Sequence, residues 1–209
     1  MKRNLLILFY GIIIFSCSTI ERETNNIRYF DENNVEISKR EFNRVLSTNT
    51  FLDIQGDSIN HKKMIKREKH GKLSNRLLLA SLLEQTINRK LDVDKPIIII
   101  YYPGKDPCNS SGSMTKKSRE IWFEQLEDGI DQIAKTKPIY IYKDNDGLEK
   151  YDDILIWHED PNGEIERLFF EHHYPCNSFV VISKNGNYIS YFGEFSKEYV
   201  WEATQLMNK

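Results

Sequence analysis

The chemistry open to this chain of 209 residues is concentrated in its three cysteines, Cys17, Cys108 and Cys176. A cysteine is a nucleophile only as the thiolate, so a reactive one needs its pKa lowered by a helix N-terminus or a nearby cation. Lys105 stands just before Cys108 and is the candidate cation. Asn109-Ser110-Ser111-Gly112 separates Cys108 from the next convincing helix start, which weakens help from a helix terminus. His172 and His173 precede Tyr174-Pro175-Cys176, and His173-x-x-Cys176 is a spacing that metals use. Other signals fall short of a site. Gly104-Lys105 is no phosphate loop, because Gly-x-x-x-x-Gly-Lys-Ser/Thr is absent, and no cofactor is expected. Asp144-Asn145-Asp146-Gly147 reads as a turn, because Glu149 comes too soon to close a calcium loop. Asp152-Asp153 and Glu159-Asp160 read as solvated strand ends and turns.

Cys17 has a separate role. Lys2 and Arg3 form a basic start, Leu5 to Phe15 is apolar, and the run stops at Ile14-Phe15-Ser16-Cys17. A membrane-spanning helix needs about 20 apolar residues, so this run is too short to span and fits the core of a secretory signal. Its end resembles a bacterial lipoprotein signal. That resemblance implies cleavage before Cys17, lipid on Cys17 and residues 1–16 removed. The mature protein would be held at the cell envelope by fatty chains, outside the cytoplasm, where disulfides persist. Ser18 follows the cysteine where an aspartate would favour inner-membrane retention, so the outer membrane is the favoured address.

Composition sets the limits. The chain is 40% hydrophobic and 12% aromatic, enough apolar material for a packed core rather than a disordered chain. A mean hydropathy of −0.55 and a single long apolar run exclude a polytopic membrane protein. A net charge of −2 and a pI near 6.2 exclude broad attraction to nucleic acid. Three cysteines are too few for a disulfide-built scaffold.

The elements follow from local signals. Residues 17–26 are a polar tether and 27–61 an N-terminal extension. Within the extension, Ile27 to Phe30 reads as a strand, and Ser38 with Glu41 fits a capping box for a helix over Lys39 to Ser47. Phe51 to Ile54 alternates like a strand. The main domain is placed at 62–209. Lys62 to Glu68 is its first expected strand. Ser74 would cap a helix to Lys90, with Leu77, Leu78, Leu79, Leu82, Leu83 and Ile87 as its apolar stripe. Ile97 to Tyr102 is a continuous β-branched and aromatic run, the mark of a strand buried on both faces. A loop, Pro103 to Ser113, leads to a long helix with Ile121, Trp122, Leu126, Ile130 and Ile133 at helical spacing. Ile139 to Tyr142 is a strand, and a second apolar stretch, Ile154 to Trp157, follows it. Glu164 to Phe170 is a short helix. Phe179 to Ile182 and Tyr188 to Phe192 form a hairpin about Asn185-Gly186. A last helix, Ser196 to Met207, would turn Val200, Ala203 and Leu206 inward. This order predicts an α/β fold with a mixed sheet.

From Lys62 to Lys209 the chain resembles the thioredoxin-like family. The carriers are Tyr101-Tyr102-Pro103-Gly104-Lys105-Asp106-Pro107-Cys108 at the end of the central strand, the final hairpin and the order of elements. The two prolines and the final cysteine coincide with the family's Pro-Trp-Cys-Gly-Pro-Cys. Lys105 stands where the attacking cysteine would be, so ordinary dithiol reduction through adjacent thiols is not expected. The cis-proline position falls at Asn177 or Ser178, with Pro175 a little early.

The resemblance implies a three-layer α/β/α sandwich in which the loop before the fourth strand packs on the active-site loop. That would bring Cys176 to Cys108, close enough for a disulfide, either structural or switchable. It leaves open a lone reactive Cys108 and a copper or zinc site of Cys108, Cys176 and His173. The functional expectation is a lipid-anchored envelope protein concerned with thiol redox chemistry. The alternative is a binding or assembly module that kept the fold and lost the chemistry, with another envelope protein as partner. The membrane is expected as a partner through the lipid, and nucleic acid is not.

Overall fold

The computed structural model describes residues 27–110 and 112–209. The expected signal segment, Cys17 with its expected lipid and the expected tether lie outside the described residues. Arg28–Phe30 (β1) pairs antiparallel with Glu36–Ile37 (β2). Asp31 shapes the turn between them, its Oδ1 accepting the Asn33 N–H at 2.9 Å and the Val35 N–H at 2.8 Å. The helix Lys39–Leu46 (α1) starts where the Ser38 hydroxyl accepts the Glu41 N–H at 3.1 Å. The Glu41 carboxylate pairs with Arg44 at 3.0 Å, so the cap lacks its return bond. Phe42 is buried against Tyr29, ring centroids 4.9 Å apart. Phe51–Gln55 (β3) and His61–Lys66 (β4) form an antiparallel pair, and β4 lies parallel to β1. The sheet order is β2-β1-β4-β3.

The strand expected over Lys62 to Glu68 is therefore two strands in two sheets. β4 belongs to the N-terminal sheet, and Glu68–Lys72 (β5) begins the main one. The division falls at Arg67 rather than at Lys62. The reason is a backbone relay. The Arg67 N–H donates to Thr50 O at 3.0 Å, while Arg67 O accepts the Phe192 N–H at 2.8 Å. One residue thus bonds to both sheets.

The helix Arg76–Ile87 (α2) is capped by Asn75, whose Oδ1 accepts the Leu78 N–H at 3.0 Å, rather than by Ser74. Its expected stripe is also partly overturned. Leu79, Ala80 and Leu83 are buried, while Leu77 and Leu78 are 66% and 68% exposed. The run is apolar on nearly every side, so periodicity alone could not select its inner face.

Ile97–Tyr102 (β6) is buried at every position, as a central strand should be. Its alternate residues feed two cores. Ile97, Ile99 and Tyr101 join Leu79, Leu83, Phe169 and Phe170 on one face, together with Leu52 and Ile54 of β3. Ile98, Ile100 and Tyr102 join Phe123, Leu126, Ile130 and Val200 on the other. The short helix Pro107–Ser110 (α3) and the long helix Lys116–Ala134 (α4) follow. α4 buries Phe123, Leu126, Ile130 and Ala134, and Ile121 is 40% exposed.

Ile139–Tyr142 (β7) lies parallel to β6. After a 3-10 turn at Leu148–Tyr151, Trp157–Glu159 (β8) adds a parallel edge strand. This strand begins where the apolar stretch Ile154 to Trp157 ends, because it pairs through Trp157, His158 and Glu159. Glu164–Phe169 (α5) is held at its start by Asp160, whose carboxylate accepts the Ile165 and Glu166 N–H groups at 2.9 and 2.8 Å. Burial pushes the Asp160 pKa up against those bonds.

Ser178–Ile182 (β9) runs antiparallel to β6 and to Asn187–Tyr191 (β10). Their turn is a three-residue loop. The Gly186 N–H donates to Ser183 O at 3.0 Å, and Gly186 takes φ +82°. The left-handed position thus falls on the glycine, and Asn185 keeps an ordinary φ. The helix Lys197–Met207 (α6) buries Val200, Ala203 and Thr204, while Leu206 is 51% exposed. The six-stranded sheet has the order β5-β10-β9-β6-β7-β8, with helices on both faces. The fold is mixed α/β, as the order of elements predicts.

Candidate functional site

The site grows from the end of β6. Pro103 and Gly104 are buried, and Gly104 takes φ +114° beside Asp144, where a Cβ would come within 3.1 Å of the Asp144 Cβ. The chain then turns into α3, which opens on Pro107, a favoured first helical residue. Asp106 and Asn109 cap this turn reciprocally. The Asn109 N–H donates to Asp106 Oδ1 at 2.8 Å, and the Asp106 N–H donates to Asn109 Oδ1 at 3.1 Å. The Asn109 side-chain amide also donates to Gly104 O at 2.8 Å. The expected open loop from Pro103 to Ser113 is thus partly helical. An Asp and an Asn three apart around a proline was the signal for it.

Cys108 and Cys176 form a disulfide. Their Cα atoms are 5.2 Å apart across a sequence separation of 68, inside the normal range for a bridge. Neither cysteine is fully buried. Cys176 adopts φ +63°, the left-handed region, just before β9. Its N–H donates to Asp106 Oδ2 at 2.9 Å. The same two segments are therefore tied twice, once through sulfur and once through the carboxylate. Asp106 is only 8% exposed, and its oxygen lies within 4.8 Å of both sulfurs.

Asp106 thus puts a carboxylate beside the sulfurs, where the sequence offered Lys105 as the charged neighbour. The Lys105 ammonium is half exposed and faces Asp146 Oδ1 at 3.8 Å. His173 Nε2 lies 3.8 Å from Asp106 Oδ2. Among the described residues, the group close enough to share a metal is Asp106, Cys108 and Cys176, with Asp106 in the place expected for His173. While the sulfurs are bonded to each other they are not thiolates, the form that binds metal. No peptide bond among the described residues is cis, Asn177 and Ser178 included.

No protein-family model, curated protein or solved structure matches the chain.

A groove of about 270 Å³ opens beside the disulfide, with Cys176 in its wall. Trp122, Phe123 and Phe195 give it an apolar side, and Arg119, Lys150 and Tyr151 a cationic one. The Arg119 guanidinium lies 5.4 Å and the Lys150 ammonium 5.1 Å from the centre of the Tyr151 ring. Lys150 Nζ donates to Asn109 O at 2.5 Å, and Arg119 donates to Lys150 O at 2.8 Å and Met114 O at 3.1 Å. Burial first, then the neighbouring Arg119 charge, hold the Lys150 pKa below its ordinary value. Burial pushes the Tyr151 phenol up, against the pull of Asn177 and Arg119. Sequence reading missed both cations. They stand far from any motif, and only the packing of the 3-10 turn against α4 brings them together.

Proposed function

We propose that the protein is a lipid-anchored module of the bacterial cell envelope with a thioredoxin-like domain, in which the Cys108–Cys176 bond is a staple and the groove beside it is a binding surface. The thioredoxin-like reading draws support from the path of the chain. A buried central strand leads into the Cys108 loop, the segment before the final hairpin packs on that loop, and a helix closes the chain. The envelope address rests on Ile14-Phe15-Ser16-Cys17 and agrees with a disulfide, which persists outside the reducing cytoplasm.

The observation that carries the staple is Asp106. A buried carboxylate beside two sulfurs raises the free energy of any thiolate formed there, so it opposes both attack by these cysteines and their departure as leaving groups. The same carboxylate fixes Cys176 through its N–H. A bridge of this separation stabilises the domain by about 4 kcal/mol on the chain-entropy model.

One observation favours the redox alternative. Lys150 brings a cation to the carbonyl next to Cys108, and cations lower thiol pKa values. Insulin reduction in the presence of dithiothreitol separates the two. The staple predicts no acceleration over dithiothreitol alone. Acceleration that is lost in Cys108→Ser establishes an oxidoreductase instead.

A further inference from the structure

We infer that the groove beside Cys176 binds a peptide segment that places a carboxylate next to an apolar side chain; this rests on the binding-module reading above. Arg119 and Lys150 share the ring of Tyr151, yet among the described residues neither forms an ion pair. Their hydrogen bonds run to the backbone carbonyls of Asn109, Lys150 and Met114. Carbonyl oxygens satisfy donors but do not neutralise the formal charges, and Glu149 and Asp106 act on Lys150 only from beyond ion-pair distance. Two like charges in a partly buried place raise each other's cost: burial first, and then the Arg119 charge, lower the Lys150 pKa. An incoming anion removes that cost. Lys150 has three donor hydrogens and uses one on Asn109, so it keeps donors for a ligand.

The apolar lining selects what carries the anion. Trp122 and Phe195 line the same groove as the cations and offer apolar ring surface, Trp122 standing one turn after Arg119 on α4. The groove is smaller than the cavities of about 300–1,000 Å³ that enclose drug-sized ligands. It has room for the ends of two side chains, and it opens to the surface. Those dimensions fit an acidic residue beside an aromatic or aliphatic one on an extended peptide. Glu194 also lines the groove and repels an anion placed beside it.

The test is calorimetric titration of the full chain in detergent, disulfide intact, with the blocked peptide acetyl-Ala-Phe-Asp-Ala-amide and its Asn counterpart. Binding of the Asp peptide at least about tenfold tighter than the Asn peptide is expected, since a hydrogen bond to a charged group commonly contributes that much. Lys150→Met should remove the preference, Lys150→Arg should retain it, and Lys105→Met, altered at an exposed pair with Asp146, should leave it unchanged. Equal affinity for the two peptides, no binding of either, or a preference that survives Lys150→Met overturns the inference. The titration needs no thiol chemistry, so its failure is distinct from a positive insulin assay, which would instead overturn the staple.

Discussion

The backbone N–H of Cys176 donates to the carboxylate of Asp106 at 2.9 Å, two positions before the cysteine to which Cys176 is bonded. One acidic side chain therefore braces the disulfide from beneath, while its other oxygen starts the helical turn that carries Cys108. This geometry makes the redox behaviour of the pair and the stability of the loop parts of one arrangement, and it can be tested residue by residue.

Cys108→Ser and Cys176→Ser should each lower the melting temperature by roughly 10 °C, taking about 4 kcal/mol for the bridge and the usual temperature sensitivity of a domain of this size. The double variant should match either single variant, because both remove the same bond. Scanning calorimetry reads all three. Unchanged melting in the single variants would show that the bond stabilises nothing.

Asp106→Asn should weaken the fold and loosen the redox lock together. The amide keeps one acceptor oxygen where the carboxylate uses two, and a buried donor left unpaired costs about 1–3 kcal/mol. With the anion gone, thiolates form more easily, so the reduction potential should rise, most clearly at alkaline pH where thiolates are populated. Alkylation of the reduced variant by iodoacetamide should also be faster than that of the reduced wild type. A variant with lower stability but unaltered potential and alkylation rate would reduce Asp106 to a cap.

Lys105→Ala should leave the potential where it is, since its ammonium faces Asp146 at the surface. Lys150→Met should lower it, because loss of a nearby cation disfavours the thiolates. The two substitutions remove the same charge, so equilibration of each with glutathione buffers separates place from charge.

Peptide affinity should follow a bell in pH. Its acid limb is the ionisation of the peptide carboxylate, at about pH 4. Its alkaline limb is loss of the Lys150 proton, below the ordinary value of 10.5 because burial and Arg119 hold it down. The groups facing Lys150 pull both ways: Arg119 and Lys105 lower its pKa, Glu149 and Asp106 raise it. The ammonium is the binding form, so affinity must fall as pH rises through this titration. Calorimetry across pH reads it, and an alkaline limb that persists in Lys150→Met would assign it elsewhere.

Most strands were legible because their signals are local. Ile97 to Tyr102 could only be central, being apolar at every position, and Gly186 marked the hairpin. The burial faces of helices were less legible where the apolar pattern was broad, as at Leu77 and Leu78 in α2. The strand over Lys62 to Glu68 was misread because nothing local shows that Arg67 bonds to both sheets. At the site, the two cysteines are visible as residue types, and their pairing is an expectation that only the resemblance proposed from the sequence implies. Asp106, Arg119 and Lys150 were not singled out. Their roles depend on long-range neighbours: Cys176 for Asp106, and the shared ring of Tyr151 for the two cations.

The most direct test of the staple is the reduction potential of the Cys108–Cys176 bond in the full chain, measured by glutathione and dithiothreitol equilibria with mass-spectrometric thiol counting. A staple braced by Asp106 predicts a value below about −300 mV, the range of structural disulfides. A value at or above about −270 mV, where thioredoxin itself lies, would contradict it and make the pair a working redox couple.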